Sequence, residues 1–146
     1  MNKHTGFTLI ELMVVVVIVA IFAAITIPFY QFYIRRAEAS KAQQETQRIA
    51  VLLERHKARN FSYKGFVLTA QSISIPRTYS FNLKDGAATN KLLTAADASG
   101  RSWVLKTMTT DSKNFNYLMT SSGVRCKNTI AENITYTGYG TGAEAW

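Results

Sequence analysis

Residues 7–30 read FTLIELMVVVVIVAIFAAITIPFY, and this stretch decides the architecture. Fourteen consecutive apolar residues run from Leu12 to Ile25, and only Thr8, Glu11 and Thr26 interrupt the apolar run from Phe7 to Ile27. About 20 apolar residues, rising about 1.5 Å each, cover the hydrocarbon core of a bilayer. The run is long enough to do so. It is open to three readings: a retained membrane anchor, a cleaved secretory signal with Lys3 as its positive n-region, or a buried core helix. The anchor is favoured, because the run passes into Ile27-Pro28-Phe29-Tyr30 and not into the small residues that a signal peptidase needs.

Glu11 is the anomaly in this stretch. A carboxylate within a membrane-crossing helix is costly, so it points to a function and a partner. Its place one turn from the helix start lowers that cost, since negative charge is favoured near a helix N-terminus. No basic residue lies within helical reach inside the apolar run. The partner expected is therefore an α-amino group or another molecule, which points to assembly.

The string Gly6-Phe7-Thr8-Leu9-Ile10-Glu11, followed by a hydrophobic helix, resembles the class III signal of type IV pilins and the related pseudopilins. The resemblance implies cleavage after Gly6 by a prepilin peptidase and N-methylation of the new first residue, Phe7. It implies that Glu11 pairs with the N-terminal amine of a neighbouring subunit. Charge alone leaves orientation open, because Lys3 precedes the span while Arg35 and Arg36 follow it. The resemblance places the leader in the cytoplasm and the rest beyond the inner membrane. It also implies that the helix kinks or loosens near Pro28, where proline removes a backbone donor.

No glycine and no proline other than Pro28 occurs between Phe7 and Lys64, so helix can continue over residues 7–59. Ala39, Ala42, Thr46, Ile49, Leu53 and His56 recur at spacings of three and four, with Leu52 widening the stripe. The period then changes. Residues 60–66 end the helix and open a long connection through Pro76, with aromatics expected to pin that loop. Tyr79, Phe81 and Leu83 alternate as a strand that stops at the turn Asp85-Gly86. The runs 103–108 and 115–119 alternate as an antiparallel hairpin. Such a sheet needs a cover, which the helix stripe can supply. The fold expected is α+β: a long N-terminal helix whose second half packs on a small antiparallel sheet. The pilin fold has this outline. The glycine-rich tail over residues 136–142 reads as a mobile end.

Among 146 residues there is one cysteine, Cys126, and two histidines, so an internal disulfide framework and a four-thiolate metal site are excluded and a His-rich metal site is not expected. Many pilins close a C-terminal loop with two cysteines; here only Cys126 is present. Cys126 and His56 have no company that would make a nucleophile, base and pocket, and no cofactor motif occurs. No enzyme activity is expected. The net charge of +8 permits an anionic partner. Lys84, Lys91, Arg101, Lys106, Lys113, Arg125 and Lys127 are the residues that would contact DNA if they gathered on one side of the sheet.

The chain is thus expected to comprise a leader over residues 1–6, a transmembrane and assembly helix over 7–30, and a globular domain over 31–146. The resemblance implies a structural subunit of a type IV pilus, and Leu53-Glu54-Arg55-His56-Lys57 and Gly123-Val124-Arg125-Cys126 look most like a minor pilin. Its partners would be other pilin subunits, prepilin peptidase, the inner membrane and the assembly platform. The subunit would sit in the inner membrane before assembly and in the surface fibre afterwards, serving motility, adhesion or DNA uptake. The alternatives are a pseudopilin of a type II secretion system and a pilus-associated DNA receptor.

Overall fold

The computed structural model describes residues 6–69 and 72–146. The leader, except for Gly6, lies outside the described residues. Helix α1 covers Leu9–Asn60, 52 residues, and is unbroken through Pro28. Two residues before the proline, the Thr26 hydroxyl donates to the Phe22 carbonyl at 2.7 Å. Five antiparallel strands follow: β1 Tyr79–Asp85, β2 Trp103–Thr109, β3 Asn116–Thr120, β4 Arg125–Asn128 and β5 Glu144–Ala145. They pair in sequence order, so β1 is an edge strand. The described residues therefore form an α+β fold with one long helix and a five-stranded meander.

The chain divides into two compact units, Met1–Arg36 and Ala37–Trp146. Within the second, α1 buries Ala42, Glu45, Thr46, Ile49, Ala50 and Leu53. The predicted stripe supplies four of these; Ala39, Leu52 and His56 are half-buried and form its margins. Ile49, Leu53, Leu105 and Met119 meet in the main core with Leu83 and Trp103. The Thr46 and Thr107 hydroxyls share a buried hydrogen bond of 2.7 Å, which satisfies both polar groups at the centre of the helix–sheet contact. Nearer the sheet's lower edge, the Tyr117 hydroxyl donates to the Ala39 carbonyl at 3.5 Å and the Thr78 hydroxyl to Glu38 Oε2 at 2.6 Å.

The connection after α1 departs from expectation at one aromatic. Tyr63 is buried and donates to Glu54 Oε1 at 2.7 Å, and Phe66 packs on the core, so these two hold the loop. Phe61 does not. Its backbone takes the left-handed conformation that closes α1, φ 57°, and its ring is 92% exposed.

Asp85 is more than a turn residue. Wholly buried, it accepts from Ala87 N at 2.8 Å, Ser99 N at 2.5 Å, Ser99 Oγ at 3.0 Å and Gly100 N at 3.1 Å. Burial pushes its carboxyl upward, but these hydrogen bonds outweigh burial and hold it below the usual carboxylate range. The loop 86–100 is folded around this side chain. Gly100 completes the junction: its φ of 61° and its contact with Ser62 and Lys64 leave no room for a Cβ.

The tail also differs from expectation. β4 lacks a clean apolar alternation and β5 has two residues, so neither was legible as a strand. Yet the segment after β4 is tied down. The Asn128 side chain donates to the carbonyls of Tyr139 and Thr141 at 3.4 and 3.0 Å, and Asn133 Nδ2 to Thr141 at 2.9 Å. The Trp146 indole N–H donates to the Cys126 carbonyl at 3.0 Å and its ring meets Tyr117 edge-on. Ile134 is buried with Val104, Leu118 and Cys126 on the sheet face away from α1. Ile134, Tyr136 and Ala143 thus cover that face, while Trp146 packs beside Tyr117 on the other.

Candidate membrane and assembly site

In the Met1–Arg36 unit the described apolar side chains have no core to enter. Leu9, Val14, Ile18 and Phe22 are 79%, 51%, 47% and 66% exposed. This is the one described helix long and apolar enough to cross a membrane. Phe7, at the expected cleavage point, is 83% exposed and lies just before the first residue of α1.

Glu11 has a partner that sequence reasoning missed. Thr8 N and Thr8 Oγ1 both donate to Glu11 Oε2, at 3.0 and 2.8 Å, while the Glu11 backbone N–H points back to Thr8 Oγ1 at 3.4 Å. Since α1 starts at Leu9, Thr8 is the N-cap residue and Glu11 the third helical residue, the reciprocal arrangement of a capping box. The signal was present as Thr-x-x-Glu before an apolar run. The carboxylate thus has a neutral, local partner within its own chain, and both donors belong to Thr8, downstream of the Gly6–Phe7 bond.

The seven cations singled out on the sheet domain do not share one face. Cross-strand partners point the same way, and Lys84 and Lys106 stand among Val104, Leu118 and Cys126 on the face away from α1. Arg125 and Lys127 stand opposite Met119 and Tyr117, on the other face. Several are already engaged. Lys91 is ion-paired to Asp97; Lys127 lies 3.2 Å from Glu144 and over the Phe115 ring; Lys106 lies over the Tyr136 ring at 4.8 Å. Arg101, Lys113 and Arg125 are exposed. Burial pushes the Lys106 ammonium downward.

Cys126 is buried and unpaired, and burial raises its thiol above the ordinary range, away from reactive thiolate. His56 has both ring nitrogens engaged: Nε2 with the Lys64 carbonyl at 3.0 Å and Nδ1 with Asn60 Nδ2 at 3.3 Å. The two side chains belong to different parts of the core. Among the described residues no three His, Cys, Asp or Glu side chains are grouped as metal ligands.

The family model for the prokaryotic N-terminal methylation motif matches residues 1–27. The chain is 60% identical over 42 residues to a fimbrial protein of Moraxella nonliquefaciens, covering 29% of this chain and 27% of that protein. It is 53% identical over 53 residues to the type IV major fimbrial protein FimA of Dichelobacter nodosus, covering 36% and 34%. To prepilin peptidase-dependent protein D of Escherichia coli K12 it is 65% identical over 37 residues, 25% of each chain. The matches span about a quarter to a third of these relatives' lengths. No solved structure matches the chain. With the methylation motif at its start and fimbrial relatives at this identity, the N-terminal third of the chain is similar to type IV fimbrial proteins.

Proposed function

We propose that this protein is a structural subunit of a type IV pilus, held in the inner membrane by residues 7–30 before assembly and packed in the fibre by the same residues afterwards. The observation that carries the reading is the unburied apolar helix headed by Gly6-Phe7-Thr8-Leu9-Ile10-Glu11. Such a surface is stable only against lipid or against other helices like itself. Prepilin peptidase cleaves between Gly6 and Phe7, and Phe7 is then methylated. Cleavage leaves the Thr8 donors in place, so the carboxylate of Glu11 stays satisfied in the mature subunit until the amine of a neighbour's Phe7 replaces them. Pro28 loosens the helix during this transfer. The finer role is that of a minor subunit working with other pilins and the assembly platform in motility, adhesion or DNA uptake.

The test is the intact mass of the protein from its native host, compared with a strain lacking prepilin peptidase. Loss of residues 1–6 with one added methyl on Phe7, only where the peptidase is present, is the expected result. An uncut leader in both strains removes the reading. Sheared surface fibres containing the protein at low copy support the minor role; absence from fibres together with a defect in export of folded proteins assigns it to a secretion apparatus instead. Division of the cations between two sheet faces gives the DNA-receptor reading no support from geometry.

A further inference from the structure

The free edge of β1 carries unused recognition chemistry. Asp85 N–H donates outward to the Lys91 carbonyl at 3.0 Å and Tyr79 N–H to the Pro76 carbonyl at 3.1 Å, whereas Thr78 and Gly86 bond across to the chain of β2 at Thr110 and Ser102. This sets the parity. Even-numbered residues of β1 bond β2, and odd-numbered ones turn their backbone groups away from it. Between the two anchored ends, the N–H and C=O of Phe81 and Leu83 face outward and meet no partner among the described residues.

A groove lies along that edge. Its volume is about 340 Å³, with Phe81, Leu83 and Lys84 on the strand side and Phe66, Val67 and Leu68 opposite. Lys84 is half-buried and forms no ion pair among the described residues. Phe66 and Val67 also form one wall of a second groove of about 230 Å³, which Arg55 and Arg59 line. Neither arginine has an acidic partner among the described residues. An apolar trough beside unpaired backbone groups, bordered by unpaired cations, has the complementarity of an extended acidic and apolar peptide. A second copy of this chain is disfavoured, since the net charge of +8 on the full chain leaves each copy strongly basic even after residues 1–6, with Lys3, are removed.

We propose that the outer edge of β1 takes up an extended segment of a partner protein by strand addition. The segment's backbone pairs with Phe81 and Leu83, its apolar side chains fill the groove against Phe66 and Leu68, and its carboxylates meet Lys84 and the Arg55–Arg59 pair.

The test uses the full chain in detergent micelles and a seven-residue peptide alternating valine and threonine with glutamate at both ends. Two controls are the same peptide with alternate backbone nitrogens methylated and a version ending in lysine. Binding is followed by fluorescence anisotropy and by amide hydrogen exchange. The expected result is slowed exchange at Phe81 and Leu83, with Asn82 and Lys84 unchanged because β2 already protects them. Both control peptides fail to bind, and Lys84→Glu weakens the parent peptide about tenfold, the size of one hydrogen bond to a charged group. Equal binding of the methylated peptide, or no added protection at Phe81 and Leu83, overturns the proposal. Protection of those two amides that rises with protein concentration and needs no peptide assigns the edge to a second copy, and also overturns it.

Discussion

The two units use apolar residues in opposite ways. In Ala37–Trp146 the large side chains turn inward, and Ile49, Leu53 and Leu105 are 0% exposed. In Met1–Arg36 they turn outward, with Val19 60% and Phe22 66% exposed. One unit is stabilised by its own contacts, through burial worth about 25 cal/mol per Å² of apolar surface. The other has a helix whose hydrogen bonds are internal but whose apolar surface stays exposed among the described residues, so in the proposed function lipid or neighbouring chains complete it. Sensitivity to substitution should therefore divide sharply between them.

The largest effect is expected inside the self-contained unit. Leu53→Ala opens a cavity among Ile49, Leu105 and Met119 and costs about 2–5 kcal/mol, read from denaturant unfolding followed by Trp103 fluorescence. Val19→Ala, the same kind of truncation in the outward-facing unit, leaves that unfolding curve where it was. A shift of similar size for both would break the comparison. Next in size is Val17→Lys, which costs about 2.5–3.5 kcal/mol of membrane insertion and moves the protein from the membrane to the soluble fraction. The unfolding midpoint of the Ala37–Trp146 unit should stay unchanged.

Asp85→Asn sharpens the account of what holds the sheet domain together. Losing the charge behind four hydrogen bonds costs about 1–3 kcal/mol at neutral pH. The sign of the pH dependence follows from the lowered folded value. Asp85 stabilises fully above its unfolded pKa of about 3.9, and the contribution disappears as pH falls through the lower folded value. The native protein should lose stability on acidification below about pH 4 more steeply than the asparagine variant.

Thr8→Ala removes the cap of α1 and costs about 1 kcal/mol of helix stability, confined to the first turn and read by amide exchange at Leu9 to Leu12. Thr8→Ser should restore protection. The smallest effect is expected at the tail. Trp146→Phe keeps a ring against Tyr117 but removes the N–H that meets the Cys126 carbonyl, at about 0.5–1.5 kcal/mol. Labelling of Cys126 by a thiol reagent then speeds up. In both proteins labelling rises with pH to a midpoint above the usual thiol value, because burial disfavours the thiolate.

Much of this division was legible residue by residue. The hairpin 103–119 was visible because Trp103, Leu105 and Thr107 alternate with a second apolar set, Val104 and Met108, and both faces of the sheet are covered. The Thr8–Glu11 cap is legible too, as the pattern Thr-x-x-Glu ahead of an apolar run. The tail was not. Its glycines signal freedom locally, and the groups that remove it, Asn128, Asn133 and Trp146, act through partners 8 to 20 positions away. The faces of the cations were not legible for a related reason: a string of lysines and arginines carries no faces until the register of β1 to β4 assigns them.

The sequence by itself determined that the first part of the chain is a helix with no interior to bury it, since hydropathy, helix length and the absence of glycine are properties of neighbouring residues. The match to the N-terminal methylation motif over residues 1–27 rests on the same local grounds. Only the tertiary structure decided that Asp85 organises a loop, that the segment around Ile134 roofs the far face of the sheet and that the outer edge of β1, beside an apolar groove, has no strand partner among the described residues. Each of these depends on which strand lies beside which, and pairing between distant segments is set by the joint burial of many side chains, which no short window of sequence contains.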